Sequence, residues 1–478
     1  MNLDSNTQRA TNEVLSKLDN VTIVVIQSVS LGTLTRKYLL GLDYFEERNL
    51  YLLFKLANPN IRLIFLMTGE VSEAFLHYSL EKVAFSLGCT IINLKDRITM
   101  INLPPSTMGL SESILKSSKV QADIIDLVKG SLGFLSVWCA GINELRLSNI
   151  LNMPIIGPNE RSMIFDSKSI GRGLVSKTNV PMPRGWNDVV SIDQAQELIS
   201  SMSNLITTKK YILKLNNEDG GNGIAYLFCG HKSTKIESIS VEKMISFSEF
   251  KQQLSIQGAV LEEFLEADEV TSPSIKLHIS NDGSIDILAT HEQITNGGMY
   301  LGARFQANND YRNQLVSHGL EIAKVCKEKG IRGIFSVDFL ACRSVHSESW
   351  ELYFLELNLR STATTHAYYW TKYLTNSSYN SDSGTLESSN GLVFYSSCEY
   401  FHNKKLNTFS VAEIIDMLKK NNLDFSHNLG KGVVLHMVGT IADYSKFGAT
   451  IIGQTPEEVE NITHELNTII SYHCNSSV

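Results

Sequence analysis

A continuous β-branched, mostly apolar stretch spans residues 21–26, and similar apolar runs recur at 61–67, 132–137 and 154–156. Short continuous runs of this kind predict strands buried on both faces, as in a parallel sheet. Between them, residues 72–87 and 142–151 place apolar side chains at helical spacing. Residues 1–160 therefore read as an open α/β domain. No GxGxxG follows its first strand, which favours a structural layer over a dinucleotide site.

Past Gly157-Pro158 the pattern changes. A helix is predicted over 167–178, then a break at Pro181 and Pro183, then many strand-like segments of an antiparallel α+β region. This second unit is expected to span 161–372, with one lobe over about 180–265 and another over about 266–372. The Ser/Asn-rich tract at 373–391 is too polar to pack and is predicted to be a surface loop. A C-terminal α+β module follows over 392–478, with strands at 431–440 and 448–453. Thr455, Pro456, Glu457 and Glu458 form a helix start: an N-cap, a first-turn proline and two carboxylates.

Composition narrows the function. At 478 residues, with 43% hydrophobic and 19% charged, the chain is globular and long enough for two to four packed units. The net charge of -8, with no block of Lys or Arg, argues against nucleic acid or an anionic membrane as partner. Small-molecule chemistry is the better expectation. Seven cysteines without CxxC spacing suggest neither a disulfide framework nor a zinc site. The polar N-terminus has no apolar signal core and no later stretch is long enough to span a membrane, so a cytoplasmic location is expected.

Three segments carry the chemistry. Asp338 lies in one apolar run, and Glu356, Asn358 and Arg360 lie in another. On a strand, Glu356 and Asn358 share a face, and a hairpin brings Asp338 beside them. Hard oxygen ligands in that arrangement suit Mg²⁺, or Mn²⁺ in its place, against nucleotide phosphates, with Arg360 near for an anionic oxygen. Tyr211-Ile212-Leu213-Lys214 delivers a lysine just ahead of a loop containing Gly220, Gly221 and Gly223, whose amides suit an anion. The neighbouring Glu218 and Asp219 are expected to point their carboxylates outward. The third segment, 260–269, begins apolar and becomes acidic, carrying Glu262, Leu265 and Glu269.

Taken in this order, lysine loop, acidic strand end, then Asp and Glu-x-Asn, the chain resembles the ATP-grasp superfamily over about 160–370. The resemblance implies that Lys168 and Lys214 contact nucleotide phosphate beneath a flap at 220–223. It implies that the backbone near Glu262 and Leu265 meets adenine, that Glu269 holds ribose hydroxyls, and that Asp338, Glu356 and Asn358 ligate the metal. The hairpin loop after Asp338 looks longer than in compact members. Segments 293–304, 358–366, 432–436 and 453–458 look like the pheganomycin-type peptide ligases, which implies that Arg304 and Arg360 steady an acyl phosphate and that His366 sits near the acceptor or carboxylate. The function so implied is an ATP-dependent carboxylate–amine ligase taking ATP, a small carboxylate and an amine such as an amino acid or peptide, with a homodimer compatible. The rival readings are an ATP-grasp ligase acting through a thiol or bicarbonate, and an ATP-binding scaffold without turnover.

Overall fold

A computed structural model describes residues 18–28, 32–106, 108–201, 209–230, 234–241, 245–296, 299–347 and 349–476. Gly297 and Gly298, within one of the resemblance segments, lie outside the described residues. The N-terminal unit is a five-stranded parallel sheet of β1 (Val21–Ile26), β2 (Ile61–Thr68), β3 (Ile98–Leu103), β4 (Leu132–Val137) and β5 (Ile155–Ile156). Its order is β3-β2-β1-β4-β5. Successive residues of β1 point to opposite faces. Val24 and Ile26 pack with Ile114, Ile124 and Leu147 on one side, and Val21, Ile23 and Val25 pack with Leu50, Leu53 and Phe75 on the other. Both faces are covered, which is why the strand reads as a continuous β-branched run rather than an alternating one. The second layer includes a 3-10 helical segment, Leu42–Ala57, that the sequence pattern does not predict.

The next unit is an antiparallel sheet of β6 (Gly185–Val189), β7 (Lys210–Leu215), β8 (Ile224–Cys229), β9 (Ile236–Val241) and β10 (Ala259–Glu263), in the order β6-β10-β7-β8-β9. Along β7, Tyr211, Leu213 and Leu215 enter the core beneath helices Ile192–Ser201 and Phe247–Gln257, so Lys214 turns to the opposite face. The largest sheet contains β11 (Glu269–Thr271), β12 (Pro273–Ile279), β13 (Ile285–Asn296), β14 (Met299–Phe305), β15 (Gly333–Arg343) and β16 (Glu351–Asn358). The helix Asn309–Glu328 covers one face of it, where Gly319 meets Ile275 of β12.

Two domain expectations change. The tract at 373–391 forms β17 (Ser378–Asn380) and β18 (Thr385–Ser388) rather than a loop. One fully buried residue, Leu386, anchors it, and Asn380, Ser383, Thr385 and Glu387 bond to one another across the turn. Local side-chain bonds of this kind let a polar tract hold strand geometry. Nor is the C-terminal segment a separate module: β19 (Gly391–His402), β20 (Gly432–His436) and β21 (Lys446–Gly453) extend the large sheet through the pairing of β14 with β19. Among the described residues no helix is long and apolar enough to cross a membrane.

Candidate active site

The helix Lys168–Val175 sits at the junction of the two antiparallel sheets, with Gly171 backed against Leu357 of β16. Lys168, its first residue, reaches across the junction so that its Nζ lies 2.7 Å from Glu356 Oε1 and also donates to the Glu218 carbonyl. Burial alone would lower the pKa of Lys168, but Glu356 and Asp219 outweigh it and keep the ammonium charged above its ordinary range. Lys214 Nζ donates to Glu262 Oε2 at 2.7 Å, while Arg172 Nη1 donates to Glu262 Oε1 at 2.5 Å. The Glu262 side chain is only 2% exposed, so its two oxygens hold two cations together at the base of the cleft.

On the facing sheet, Asp338 of β15 stands opposite Glu356 of β16, and Ser336 opposite Asn358. A register shift between Asp338 and Phe339 marks a bulge, and it decides which side chains face the cleft. Leu352 and Phe354 enter the core before it, and Leu357 and Leu359 after it. Glu356 and Asn358 are thereby turned outward toward Asp338. Asn358 Nδ2 donates to Asp338 Oδ2 at 2.9 Å. Burial and the adjacent Glu356 raise the Asp338 carboxyl to about 6. Burial would raise Glu356 as well, but Lys168 outweighs it and, with Arg360 and Lys214, holds Glu356 low. Two facing carboxylates and an amide oxygen are a hard donor set, and a divalent cation would offset the charge that burial and Glu356 disfavour at Asp338. The residues present fit Mg²⁺ or Mn²⁺.

Arg360, just past β16, is clamped. Its Nη1 donates to both oxygens of Asp166 at 3.0 and 2.9 Å, its Nη2 donates to Asp219, and its guanidinium lies 5.4 Å from the Trp138 ring. Burial raises Asp166 to about 6, though Arg360 pulls the other way. Asp219 belongs to the glycine loop. Gly223 has φ of +71°, and a Cβ there would stand 2.8 Å from the Glu218 side chain, so the turn requires glycine. Contrary to expectation, both loop carboxylates point inward. Glu218 is 1% exposed and accepts from the Leu34 amide (3.2 Å), the Thr35 amide (2.8 Å) and the Thr35 hydroxyl (2.8 Å) of the N-terminal unit. Amide donors at the start of helix Thr33–Tyr38 satisfy the buried charge.

A family model described as IQCH-like ATP-grasp matches residues 160–244 and 232–382, the segment that carries the cations and carboxylates of this cluster. Residues 160–382 carry an ATP-grasp domain. A second family model, the PGM1 C-terminal domain, matches residues 413–466 of this ATP-grasp chain. The L-propargylglycine–L-glutamate ligase of Streptantibioticus cattleyicolor is 25% identical over 445 residues, 90% of each chain. IQ motif-containing protein H of Danio rerio is 20% identical over 395 residues, covering 71% of this chain but only 37% of that protein. Among solved structures, a biotin carboxylase–βγ-ATP complex from Campylobacter jejuni superposes at TM-score 0.58, with 14% identity, 92% of this chain and 88% of that one. An ADP complex of N5-carboxyaminoimidazole ribonucleotide synthetase gives 0.53, with 13% identity and 95% and 98% coverage. Those two likenesses concern the ATP-grasp fold.

Within that fold the sequence-predicted residues divide. Lys168, Lys214, Glu262, Asp338, Glu356, Asn358 and Arg360 are linked by the contacts above. Gly220, Gly221 and Gly223 form the turn between β7 and β8 beside them. Leu265 lies elsewhere, with Asp268, Arg343 and Glu351 around a surface cavity of about 470 Å³, and next to it Glu269 is bound by Arg343 at 2.6 Å. Arg304 is not brought to the cluster: it stands opposite Glu292 across β13–β14, exposed between the buried Ala303 and Phe305, and its Nη1 meets Glu460 at 3.5 Å. Glu292 accepts from Tyr311 of the helix Asn309–Glu328, on the face away from Asp338. The apolar flanks that mark Arg304 as a strand residue do not say which face it takes. His366 is buried on the helix Ala363–Thr375. The sequence reading missed Arg172, Asp166 and Lys276. Lys276 of β12 is fully buried, donates to Ser336 (3.0 Å), Thr362 (2.7 Å) and Thr365 (3.0 Å), and is lowered by burial to about 7. A lysine within the strand-like run Pro273–Ile279 was its only signal.

Proposed function

We propose that this ATP-grasp ligase joins a carboxylate to an amine, making an amide or peptide bond through an acyl phosphate and releasing ADP and phosphate. One observation carries the reading: Lys168, Arg172, Lys214 and Arg360 converge with Asp338, Glu356 and Asn358 at one junction between two sheets. Resemblance over 90% of the chain to a ligase that joins two amino acids supports it. In the first step a substrate carboxylate oxygen attacks the γ-phosphorus of ATP, and the bond to the ADP oxygen breaks. In the second an amine nitrogen attacks the acyl carbon, the bond to phosphate breaks, and the nitrogen gives up a proton.

The chain's residues serve these steps by position and charge. Lys168 and Lys214 are held against Glu356 and Glu262, so phosphate oxygens take up cations already aimed at the junction. Arg360, fixed by Asp166 and Asp219, faces the transferring group from the second sheet. The turn Gly220–Gly223 closes over it and excludes water that would hydrolyse the acyl phosphate. Asp338, Glu356 and Asn358 would hold Mg²⁺ or Mn²⁺, which supplies positive charge against the phosphate oxygens. The testing experiment supplies ATP, Mg²⁺ and pools of amino acids and short peptides and follows nucleotide release and new amide masses. ADP with an amide product is expected. AMP would overturn the acyl-phosphate route, and ATP bound without any consumption would return the chain to the scaffold reading.

A further inference from the structure

Behind the grasp lies a second group of buried polar side chains, several of whose atoms lack a hydrogen-bond partner. The segment Leu42–Ala57 carries Glu46, Glu47, Arg48 and Asn49 in succession, each no more than 5% exposed. Arg48 Nη1 donates to Glu399 Oε1 of β19 at 2.6 Å, and its guanidinium lies 4.0 Å from the Phe45 ring. The rings of His366 and His436 meet edge to face with centroids 4.3 Å apart. Gly448 stands opposite His436 in the β20–β21 ladder, and a Cβ there would lie 2.4 Å from His436 Nε2, so the imidazole lies against bare backbone. Nε2 of His366, Nε2 of His436, Nδ2 of Asn49 and Oε2 of Glu46 are all buried with no hydrogen-bond partner.

An unsatisfied buried atom is costly, so four of them on three elements call for an explanation. Their setting supplies one. Both imidazoles lie in the field of Arg48, and His366 also in that of Lys276. Tyr300 lies on β14, which pairs with the strand β19 that carries Glu399, and its phenol lies in the fields of Glu399, Arg48 and Asp338. Burial lowers both histidines, His436 to about 3, so each offers a neutral donor and acceptor. The Arg48–Glu399 pair has no net charge, and Glu399, 17% exposed, is its side toward solvent. A lone carboxylate or a lone ammonium entering here would leave a charge uncompensated. A ligand bearing both would exchange one pair for two.

We propose that Arg48 and Glu399, with His366, His436 and Tyr300 around them, form the recognition site for a zwitterionic α-amino acid, the amine partner of the ligation. Arg48 takes the α-carboxylate and Glu399 the α-ammonium. The inference rests on the ligase reading, and its test separates the two. The intact protein is titrated calorimetrically, without nucleotide, with the twenty standard L-amino acids, their amides, which lack the carboxylate, and their N-acetyl forms, which lack the ammonium. ADP release is followed in parallel with ATP and Mg²⁺.

Heat on titration with at least one free amino acid is expected, weakened by at least about tenfold in either capped form, since a charged hydrogen bond is lost. Glu399→Gln should raise the KM for that amino acid by about tenfold or more and leave the KM for ATP within about twofold. Tyr300→Phe, a milder change, should raise the same KM without altering the fold if Glu399→Gln does not fold. Equal binding of free and capped forms, or no binding of any, overturns the site while leaving the ligase reading intact. So does an unchanged amino-acid KM in folded Glu399→Gln, the mark of a purely structural ion pair. Selective binding of free amino acids without ADP release would uphold the site and defeat the ligase reading instead.

Discussion

The junction cluster and the buried group around Arg48 are both rich in charge, yet they are built on opposite terms. In the first, every cation already holds a carboxylate: Lys168 with Glu356, Lys214 and Arg172 with Glu262, Arg360 with Asp166 and Asp219. In the second, one ion pair is surrounded by neutral groups with open hydrogen-bonding positions. The difference separates two tasks. A site that receives phosphate needs cations aimed in advance, with internal anions that keep them from scattering, and it tolerates exchange of one anion for another. A site that selects a neutral molecule needs vacant donors and acceptors, because selectivity comes from groups left unpaired when the wrong ligand enters.

The largest effect should come from the metal-facing strand. Glu356→Gln keeps the shape but removes the charge that faces Asp338, and kcat should fall on the order of 10³-fold with the fold intact by circular dichroism. Activity retained at saturating Mg²⁺ would reduce the junction to an ion network of structural value only. Next is Lys214→Met, which keeps the apolar stem and leaves Glu262 to Arg172. Loss on the order of 10²-fold in kcat with less than about threefold in ATP affinity would show that the charge acts on the transferring group. Equal losses in both would make Lys214 a binding residue.

On the other side of the comparison, stability should report the neutral imidazoles. The His436 pKa lies below that of the unfolded chain, so its contribution is full above about pH 6.5 and is lost as pH falls toward 3. Between pH 6.5 and 5 this amounts to about 2 kcal/mol, set mainly by burial with Arg48 adding to it. His436→Gln should flatten that part of a Tm-against-pH curve relative to the unmodified chain, and identical curves would show that His436 does not stay neutral. The smallest effect is assigned to Arg304. Exposed and paired only with Glu460, it belongs to neither group, and Arg304→Ala should change kcat/KM by less than about twofold. A loss of tenfold would mean that the face it occupies takes part in the reaction.

The parallel strands were legible because burial on both faces leaves continuous apolar runs, and β1 and β4 occupy the predicted residues. The junction residues were legible as types in order: a lysine after apolar residues, and Asp followed by Glu-x-Asn. Facing was harder to read. The bulge beside Phe339 turns Glu356 toward the cleft although Phe354, two residues earlier, is in the core, and nothing in a period of two foretells it. The same blindness misplaced Arg304. Arg172, Asp166 and Lys276 were hidden because each acts through partners distant in sequence, at Glu262, Arg360 and Thr362. Glu46 to Asn49 are four consecutive polar residues, and only the tertiary structure encloses them.

Glu218 gives its backbone to one partner and its side chain to another. Its carbonyl accepts from Lys168 at the phosphate-facing junction, while its carboxylate is held by Leu34 and Thr35 in the N-terminal unit. A residue shared in this way is a thermodynamic link. Whatever factor nucleotide contributes to holding Lys168 and the glycine turn in place, the docking of the N-terminal unit gains by the same factor, because coupling between two equilibria is reciprocal. Loosening Leu34 and Thr35 would then weaken the hold on a nucleotide that neither of them touches.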